Sequence, residues 1–171
     1  MPRSAAMLRA VNVGGRKLGM SDLRRLTEAA GGRDVETYLQ SGNVVFAGAA
    51  GVASALSAAL AAELGFEVPV LRRTAKELAA VVDANPFDAA GKMLSVTFLE
   101  APPAAAAVAA IDPAAYGSDS FVVRGDEIYV HTPDGYGRTK LNNAFWERKL
   151  GLIATTRNWN TVLALADLTA R

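Results

Sequence analysis

Asp134-Gly-Tyr-Gly-Arg-Thr-Lys-Leu-Asn-Asn-Ala-Phe-Trp146 is the stretch that decides the fold of the second half of this chain. It opens as a glycine loop and continues into a predicted helix. Leu141, Ala144 and Phe145 recur at i, i+3 and i+4, so they form the apolar stripe of that helix. Gly151 follows the stripe and is predicted to end the helix.

Two cations stand where this helix is predicted to begin. Thr139 is predicted to act as the N-cap, which places Arg138 just outside the helix and Lys140 at its first position. Cations are unfavourable near a helix N-terminus, which carries about half a positive charge. A glycine loop that leads to such a start suits an anion, so we expect Arg138 and Lys140 to bind one.

The segment Thr155-Thr-Arg-Asn-Trp159 lies a few residues further along. Its hydroxyl and amide side chains are predicted to cap a last helix, which begins near Trp159 and continues to Leu168. This interpretation leaves no strand at the end of the chain.

The first half of the chain has the order β-α-β-β-α-β, which is the ferredoxin-like unit. Glycine turns separate its elements, and the Ser41-Gly42-Asn43 turn predicts a hairpin. The six predicted elements are the strand 5–12, the helix 21–30, the strands 35–41 and 43–47, the helix 52–64 and the strand 68–73.

The second half repeats this order incompletely, as β-α-β-β-α. A strand over 93–99, a helix ending near 110, a hairpin of 120–124 with 127–131 and the helix after Gly137 are predicted. The predicted fold class is therefore α+β, with two ferredoxin-like subdomains and C-terminal helices. The predicted subdomains are residues 1–74 and 75–171, packed as one compact unit.

The composition is that of an ordinary folded protein. Hydrophobic residues make up 51% of the chain and charged residues 20%, which excludes an intrinsically disordered chain. Cysteine is absent, which excludes disulfides and thiolate chemistry, and a single histidine without a carboxylate cluster predicts no metal site. The N-terminus has neither a signal peptide's apolar run nor a membrane-spanning stretch, so we expect a cytoplasmic protein with no membrane partner.

Charge is distributed unevenly along the chain. Residues 1–25 hold six lysines and arginines against one acidic residue, and residues 134–160 hold five against two. Residues 50–130 hold five against ten. Two basic ends around an acidic middle favour a local anion site over a surface that coats nucleic acid, although scattered solvated charge is the alternative.

Four motifs, taken together, resemble the bacterial domain of unknown function family 1697. They are Leu8-Arg-Ala-Val-Asn-Val-Gly-Gly15, Tyr38-Leu-Gln-Ser-Gly-Asn-Val-Val-Phe46, Asp134-Gly-Tyr-Gly-Arg-Thr-Lys-Leu141 and Thr155-Thr-Arg-Asn-Trp159. The resemblance implies a small α+β domain with ferredoxin-like subdomains and implies no particular activity. Ala10 stands where the family pattern usually has glycine, and we expect the alanine to fit a strand.

The candidate ligand-binding residues are mostly amides, cations and glycines taken from these motifs. Such groups donate hydrogen bonds and favour binding of an anion over proton abstraction. Arg9 is expected to be at least partly buried and paired with an acceptor or an anion. The full set is Arg9, Asn12, Gly14, Gly15, Lys17, Gln40, Ser41, Asn43, Arg138, Lys140, Asn143, Arg157 and Asn158.

The sequence favours binding of a phosphorylated small molecule or nucleotide and leaves alternatives open. One is an enzyme that acts on such a ligand, with His131, Asp134 or Glu147 as acid–base groups. Another is a module that binds single-stranded nucleic acid or another protein, in which the motifs only cap helices and fix turns. The cofactor and the oligomeric state stay open.

Overall fold

The structure is a computed structural model of the chain and describes residues 1–12, 15–38, 41–89 and 91–171. It divides into two compact units, Met1–Ala80 with Leu165–Arg171 and Val81–Ala164. The strands are β1 (Arg3–Leu8), β2 (Arg33–Tyr38), β3 (Asn43–Ala47), β4 (Val70–Thr74), β5 (Leu94–Leu99), β6 (Ser120–Arg124), β7 (Glu127–His131) and β8 (Ala154–Asn158). The α-helices are α1 (Met20–Ala29), α2 (Gly51–Leu64), α3 (Ala75–Asp83), α4 (Ala105–Ala109), α5 (Asn143–Leu150) and α6 (Trp159–Ala170).

The first unit is a ferredoxin-like fold, as predicted. Its antiparallel sheet has the order β2-β3-β1-β4, so the two crossover helices α1 and α2 lie on one face. Alternate residues of the central strands, such as Leu8 and Phe46, pack against Leu23 of α1 and Leu56 of α2 in a buried cluster. Burial of these apolar side chains is the main source of stability in this unit.

The second unit has the same topology, with the sheet order β6-β7-β5-β8. The prediction of an incomplete repeat was wrong at one element, because Ala154–Asn158 forms β8 along the edge of β5. Its two threonines suit an extended strand better than a cap region. The second repeat is therefore a complete β-α-β-β-α-β unit, and the α+β class with two ferredoxin-like subdomains is confirmed.

The two sheets share the register of their central strands. Ser4 is the second residue of β1 and pairs with Thr74, the last residue of β4. Ser95 is the second residue of β5 and pairs with Asn158, the last residue of β8. Thr74 and Asn158 also cap the helices that follow them, α3 and α6. The Thr74 hydroxyl accepts from the Glu77 amide at 3.2 Å in a capping box, and Asn158 Oδ1 accepts from the Thr161 amide at 2.9 Å.

The helix after the glycine loop begins later than predicted. Residues 136–138 form a single 3₁₀ turn, and Asn142 is the N-cap of α5, since its Oδ1 accepts from the Phe145 amide at 3.0 Å. The Thr139 hydroxyl instead accepts from the Leu141 amide at 3.1 Å. Ala144 is exposed and Trp146 is fully buried, so the buried stripe also differs from the predicted one. An asparagine in extended conformation is the better cap.

The first strand is shorter than predicted and ends at Leu8. Ala10 has a φ of 61° and Asn12 a φ of 56°, both in the left-handed region. The expectation that Ala10 fits a strand is therefore wrong. The conformation is one that glycine adopts without a steric penalty, which explains why glycine suits this position.

Within the described residues, no helix has both the length and the apolar character needed to cross a bilayer. The strand aromatics Phe46, Phe98 and Tyr129 are each at most 1% exposed. They belong to the packed interior and present no face on which a base can stack.

Candidate functional site

A cavity of about 490 Å³ lies in the second unit, and residues from several elements line it. It contains much of the glycine loop that the sequence singled out. Its lining residues are Lys92, Ser95, Gly135, Tyr136, Gly137, Thr156 and Asn158.

The antiparallel sheet brings these residues together. Lys92 lies in a 3₁₀ turn directly before β5, and Ser95 is near the start of that strand. The glycine loop follows β7, which pairs with β5 on one side, and β8 pairs with β5 on the other. Gly135 has a φ of 91°, which a side chain would strain, and its amide donates to Thr132 O at 2.9 Å. The loop is thereby held at the mouth of the cavity.

A chain of three hydrogen-bonding side chains supports the cavity wall. The Thr156 hydroxyl donates to Asn143 Oδ1 at 2.6 Å, and it lies 2.7 Å from the Thr97 hydroxyl. Because the Thr156 hydroxyl carries one proton, Thr97 is the donor in the second bond. Asn143, at the start of α5, thus fixes the orientation of Thr156 and does not itself appear in the described lining.

Ser95 is the most informative residue of this lining. The residue is 2% exposed and lies near the start of β5. Because it lines the cavity, a ligand there is within reach of its hydroxyl donor.

Lys92 sets the charge of the cavity. Its side chain is exposed. Among the described lining residues, Lys92 and the Tyr136 phenol are the only ionisable groups. The lining therefore offers one positive charge together with the Ser95 hydroxyl, since the Thr156 hydroxyl already donates its proton to Asn143. Ammonium and hydroxyl donors of this kind bind the oxygens of an anion.

The structure separates Arg138 and Lys140 from this cavity. Both line a smaller cavity of about 240 Å³, together with Tyr116 and Asp119. The predicted helix start between the two cations is absent, because α5 begins at Asn143. Their predicted placement at a helix N-terminus is wrong.

Arg157 does not belong to the cavity lining, although Thr156 and Asn158 on either side of it do. It is 6% exposed, and its Nη1 donates to Thr155 Oγ1 at 2.7 Å and to Thr156 O at 2.9 Å. Successive side chains of a strand point to opposite faces, so Arg157 lies on the face away from Ser95. Asn158 serves the cavity and the α6 cap at once.

Several predicted residues lie in the first unit, in the segment after β1. Asn12 and Lys17 line a cavity of about 430 Å³, and Asn12 Oδ1 accepts from the Leu18 amide at 2.8 Å. Arg9 is half-buried, as expected, and its amide donates to Pro69 O at 2.9 Å. Gly15 is exposed in a left-handed conformation, and Gly14 lies outside the described residues.

The remaining predicted residues shape the β2–β3 hairpin. Asn43 is fully buried, and its Nδ2 donates to Tyr38 O and Ser41 Oγ, both at 2.9 Å. Gly42 packs so closely that an added Cβ would lie 2.6 Å from Val11 Cγ2. These contacts give Asn43 and Gly42 a structural role in the turn. Gln40 lies outside the described part of the chain.

The three acid–base candidates also lie elsewhere. His131 packs its ring 5.3 Å from that of Phe87, and Asp134 accepts from Ser118 Oγ at 3.2 Å. Glu147 Oε2 accepts from the Ala154 amide at 3.2 Å. None of the three is among the described lining residues of the larger cavity.

Sequence reasoning missed Lys92, Ser95, Tyr136 and Thr156 as site residues. Ser95 carries a weak signal, since it is a hydroxyl residue between the apolar Leu94 and Val96. Lys92 has no sequence signal, because only the pairing of β5 with β7 and β8 places it beside the glycine loop.

Fold and site together define a class of protein: a duplicated ferredoxin-like α+β protein with a cavity in its second unit. The chain belongs to the family described as "Protein of unknown function (DUF1697)", whose profile matches residues 1–129. Among curated proteins, none matches the sequence.

The conserved bacterial protein SP0830 from Streptococcus pneumoniae has a similar solved structure. The two are 20% identical in sequence and superpose with a TM-score of 0.76, over 100% of this chain and 99% of that one. At this level of identity the likeness shows the shared fold and carries no information on function.

Proposed function

We propose that the larger cavity of the second unit binds a phosphorylated small molecule or nucleotide. The observation that carries this proposal is that the cationic residue Lys92 and the hydroxyl residue Ser95 line the same cavity. Both side chains donate hydrogen bonds to the oxygens of an anion.

Charge and size support the same kind of ligand. Lys92 supplies a positive charge, and no carboxylate is present among the described lining residues to cancel it. A volume of about 490 Å³ lies within the range of roughly 300–1,000 Å³ that is typical of small-molecule sites. The Tyr136 ring adds an apolar surface beside these polar groups, which suits a sugar or a base attached to the phosphate.

Binding is favoured over catalysis for a chemical reason. General acid–base catalysis requires a group that exchanges a proton near neutral pH within hydrogen-bond reach of the substrate. The described lining offers a lysine, hydroxyls and an amide, and neither a carboxylate nor an imidazole. We therefore place ligand binding first among the functions that this cavity supports.

Isothermal titration calorimetry tests the proposal with three probes: inorganic phosphate, ribose 5-phosphate and AMP. Ser95→Ala and Lys92→Gln are the test variants. Ser4→Ala is the matched control. Ser4 occupies the equivalent position of the first sheet, and it is a buried serine whose hydroxyl has no hydrogen-bond partner among the described residues. Lys76→Gln, which removes an exposed cation outside the described cavities, is the control for charge.

We expect at least one phosphorylated probe to bind. Each test variant should lower the affinity for that probe about tenfold or more. This loss corresponds to a charge-assisted hydrogen bond, which is worth roughly 1.5–3 kcal/mol. The two control variants should retain the affinity of the parent chain. Adenosine and ribose without phosphate should bind more weakly. Equal loss in Ser95→Ala and Ser4→Ala, or no binding of any probe, would contradict the proposal.

A further inference from the structure

A second, smaller cavity shares no described lining residue with the proposed ligand site. Its volume is about 240 Å³. It lies between the loop before β6 and the segment before α5. Its lining residues are Ala115, Tyr116, Gly117, Asp119, Arg138 and Lys140.

The backbone of residues 138–141 directs two cations toward this cavity. Thr139 is extended, with φ −70° and ψ 145°, and both Thr139 and Leu141 are buried. Alternate side chains of an extended segment lie on opposite sides, so Arg138 and Lys140 share the other side. Trp146 Nε1 donates to Leu141 O at 3.2 Å, which anchors the segment to α5.

Neither cation is neutralised by a close protein partner. Within the described ranges, Arg138 and Lys140 take part in no ion pair and no side-chain hydrogen bond, although Asp119 lines the same cavity. Two positive charges held on one side of a short extended segment repel each other. A doubly charged anion between them relieves this repulsion and gains charge-assisted hydrogen bonds.

The opposite wall of the cavity is also fixed. The Tyr116 ring packs edge-on against Phe145 with 5.3 Å between centroids, which holds the tyrosine against α5. The Asp119 amide donates to Tyr116 O at 3.1 Å, so this turn is closed on itself. At the rim, the hydroxyl of Ser118 donates to Asp134 at 3.2 Å and ties the two walls together.

We infer that this cavity binds a small phosphate monoester that also carries a hydroxyl group. Arg138 and Lys140 bind the phosphate dianion, while the Asp119 carboxylate accepts from the hydroxyl. Asp119 would repel an anion that has no donor to offer it, so the carboxylate selects ligands that bear both groups. A volume of about 240 Å³ lies below the roughly 300–1,000 Å³ that is typical of small-molecule sites, which suits a ligand of a few carbon atoms.

Amide NMR titration of the full chain tests this inference with glycerol 3-phosphate, methyl phosphate and glycerol. Glycerol 3-phosphate carries both groups, and the other two probes carry one each. Arg138→Gln combined with Lys140→Gln tests the cations, and Asp119→Asn tests the hydroxyl acceptor. Arg33→Gln combined with Lys76→Gln removes the same charge from two exposed cations that line none of the described cavities, and is the matched control.

We expect glycerol 3-phosphate to shift the amide signals of Gly117 and Asp119 and to bind more tightly than methyl phosphate or glycerol. The double cation variant should weaken it at least tenfold, while the Arg33 and Lys76 control stays within twofold. Asp119→Asn should remove the preference over methyl phosphate. A double cation variant within twofold of the parent, or a preference that survives Asp119→Asn, would overturn the inference.

The outcome is separable from that of the proposed function. Ser95→Ala and Lys92→Gln alter the larger cavity only, so they should leave the glycerol 3-phosphate shifts at Gly117 and Asp119 unchanged. Loss of those shifts in Ser95→Ala would mean that the two cavities are one site, which overturns a separate second site.

Discussion

Replacing Tyr129 with phenylalanine should change the pH dependence of stability more than it changes stability at neutral pH. Tyr129 is 1% exposed, and its hydroxyl donates to Val81 O at 2.5 Å. Burial, and to a smaller extent the negative charge of Glu127, raises the pKa of Tyr129 from 10.0 to about 12. The folded protein therefore holds this proton more tightly than the unfolded chain does.

The sign of the effect follows from this difference. Because the pKa of Tyr129 is raised in the folded state, the contribution of this phenol to stability is fully present below pH 10. The contribution is lost as the pH rises toward 12. With pKa values two units apart, the wild-type chain should lose about 1.4 kcal/mol of unfolding free energy by pH 11 and at most about 2.7 kcal/mol above pH 12. Tyr129→Phe has no such loss.

Below pH 9 the variant should be less stable by about 1–2 kcal/mol, because Val81 O loses its hydrogen-bond donor. The two curves should therefore converge near pH 11 and cross above it. Urea unfolding between pH 7 and pH 11.5 measures the gap in unfolding free energy between the wild-type chain and Tyr129→Phe. The difference in absorbance at 295 nm between the two chains measures the ionisation of Tyr129 directly. Tyr116→Phe is the control, since its hydroxyl has no partner in the described part of the chain.

A gap that stays constant from pH 7 to pH 11 would refute this reasoning. A difference absorbance with its midpoint near pH 10 would do the same, since it would mean that the phenol ionises as in water. Either result would also contradict a persistent hydrogen bond from the Tyr129 hydroxyl to Val81 O.

Three further predictions concern the backbone and can be measured by thermal or urea unfolding at pH 7. Ala10→Gly should raise the unfolding free energy by about 0.5–1 kcal/mol, because Ala10 has a φ of 61°; a decrease would contradict the left-handed conformation. Gly42→Ala should destabilise by roughly 2 kcal/mol or more, since its Cβ would meet Val11 Cγ2 at 2.6 Å and its φ is 85°; a neutral effect would exclude that contact. Asn158→Ala should cost about 1 kcal/mol through loss of the cap on the Thr161 amide, and Asn158→Asp should restore it.

Local chemistry explains why much of the fold can be predicted from the sequence. The hairpin of 120–124 with 127–131 was predicted at the residues where it occurs, because a turn depends on a few neighbouring side chains. The helix stop at Gly151 is equally local, with a φ of 67°. Alternating apolar residues likewise predict which strands have a buried face.

The errors arose where two local interpretations compete. Thr139 and Asn142 can each cap a helix, and packing of Phe145 and Trp146 against the sheet selects Asn142. Thr155 and Thr156 suit a cap region or a strand, and pairing with β5 selects the strand. In both cases contacts with residues distant in sequence decide the outcome, which is the usual way in which tertiary structure overrides local preference.

By itself, the sequence determined that this is an α+β protein of repeated ferredoxin-like order, with cations and amides concentrated in its loops. Only the tertiary structure decided which of those residues share a cavity. Lys92 and Ser95 meet Tyr136 and Thr156 because β5 pairs with β7 and β8, which no local pattern specifies. The reason is physical: caps and turns are set by side chains within a few residues of each other, whereas a cavity is enclosed by strands that pair across long separations in sequence.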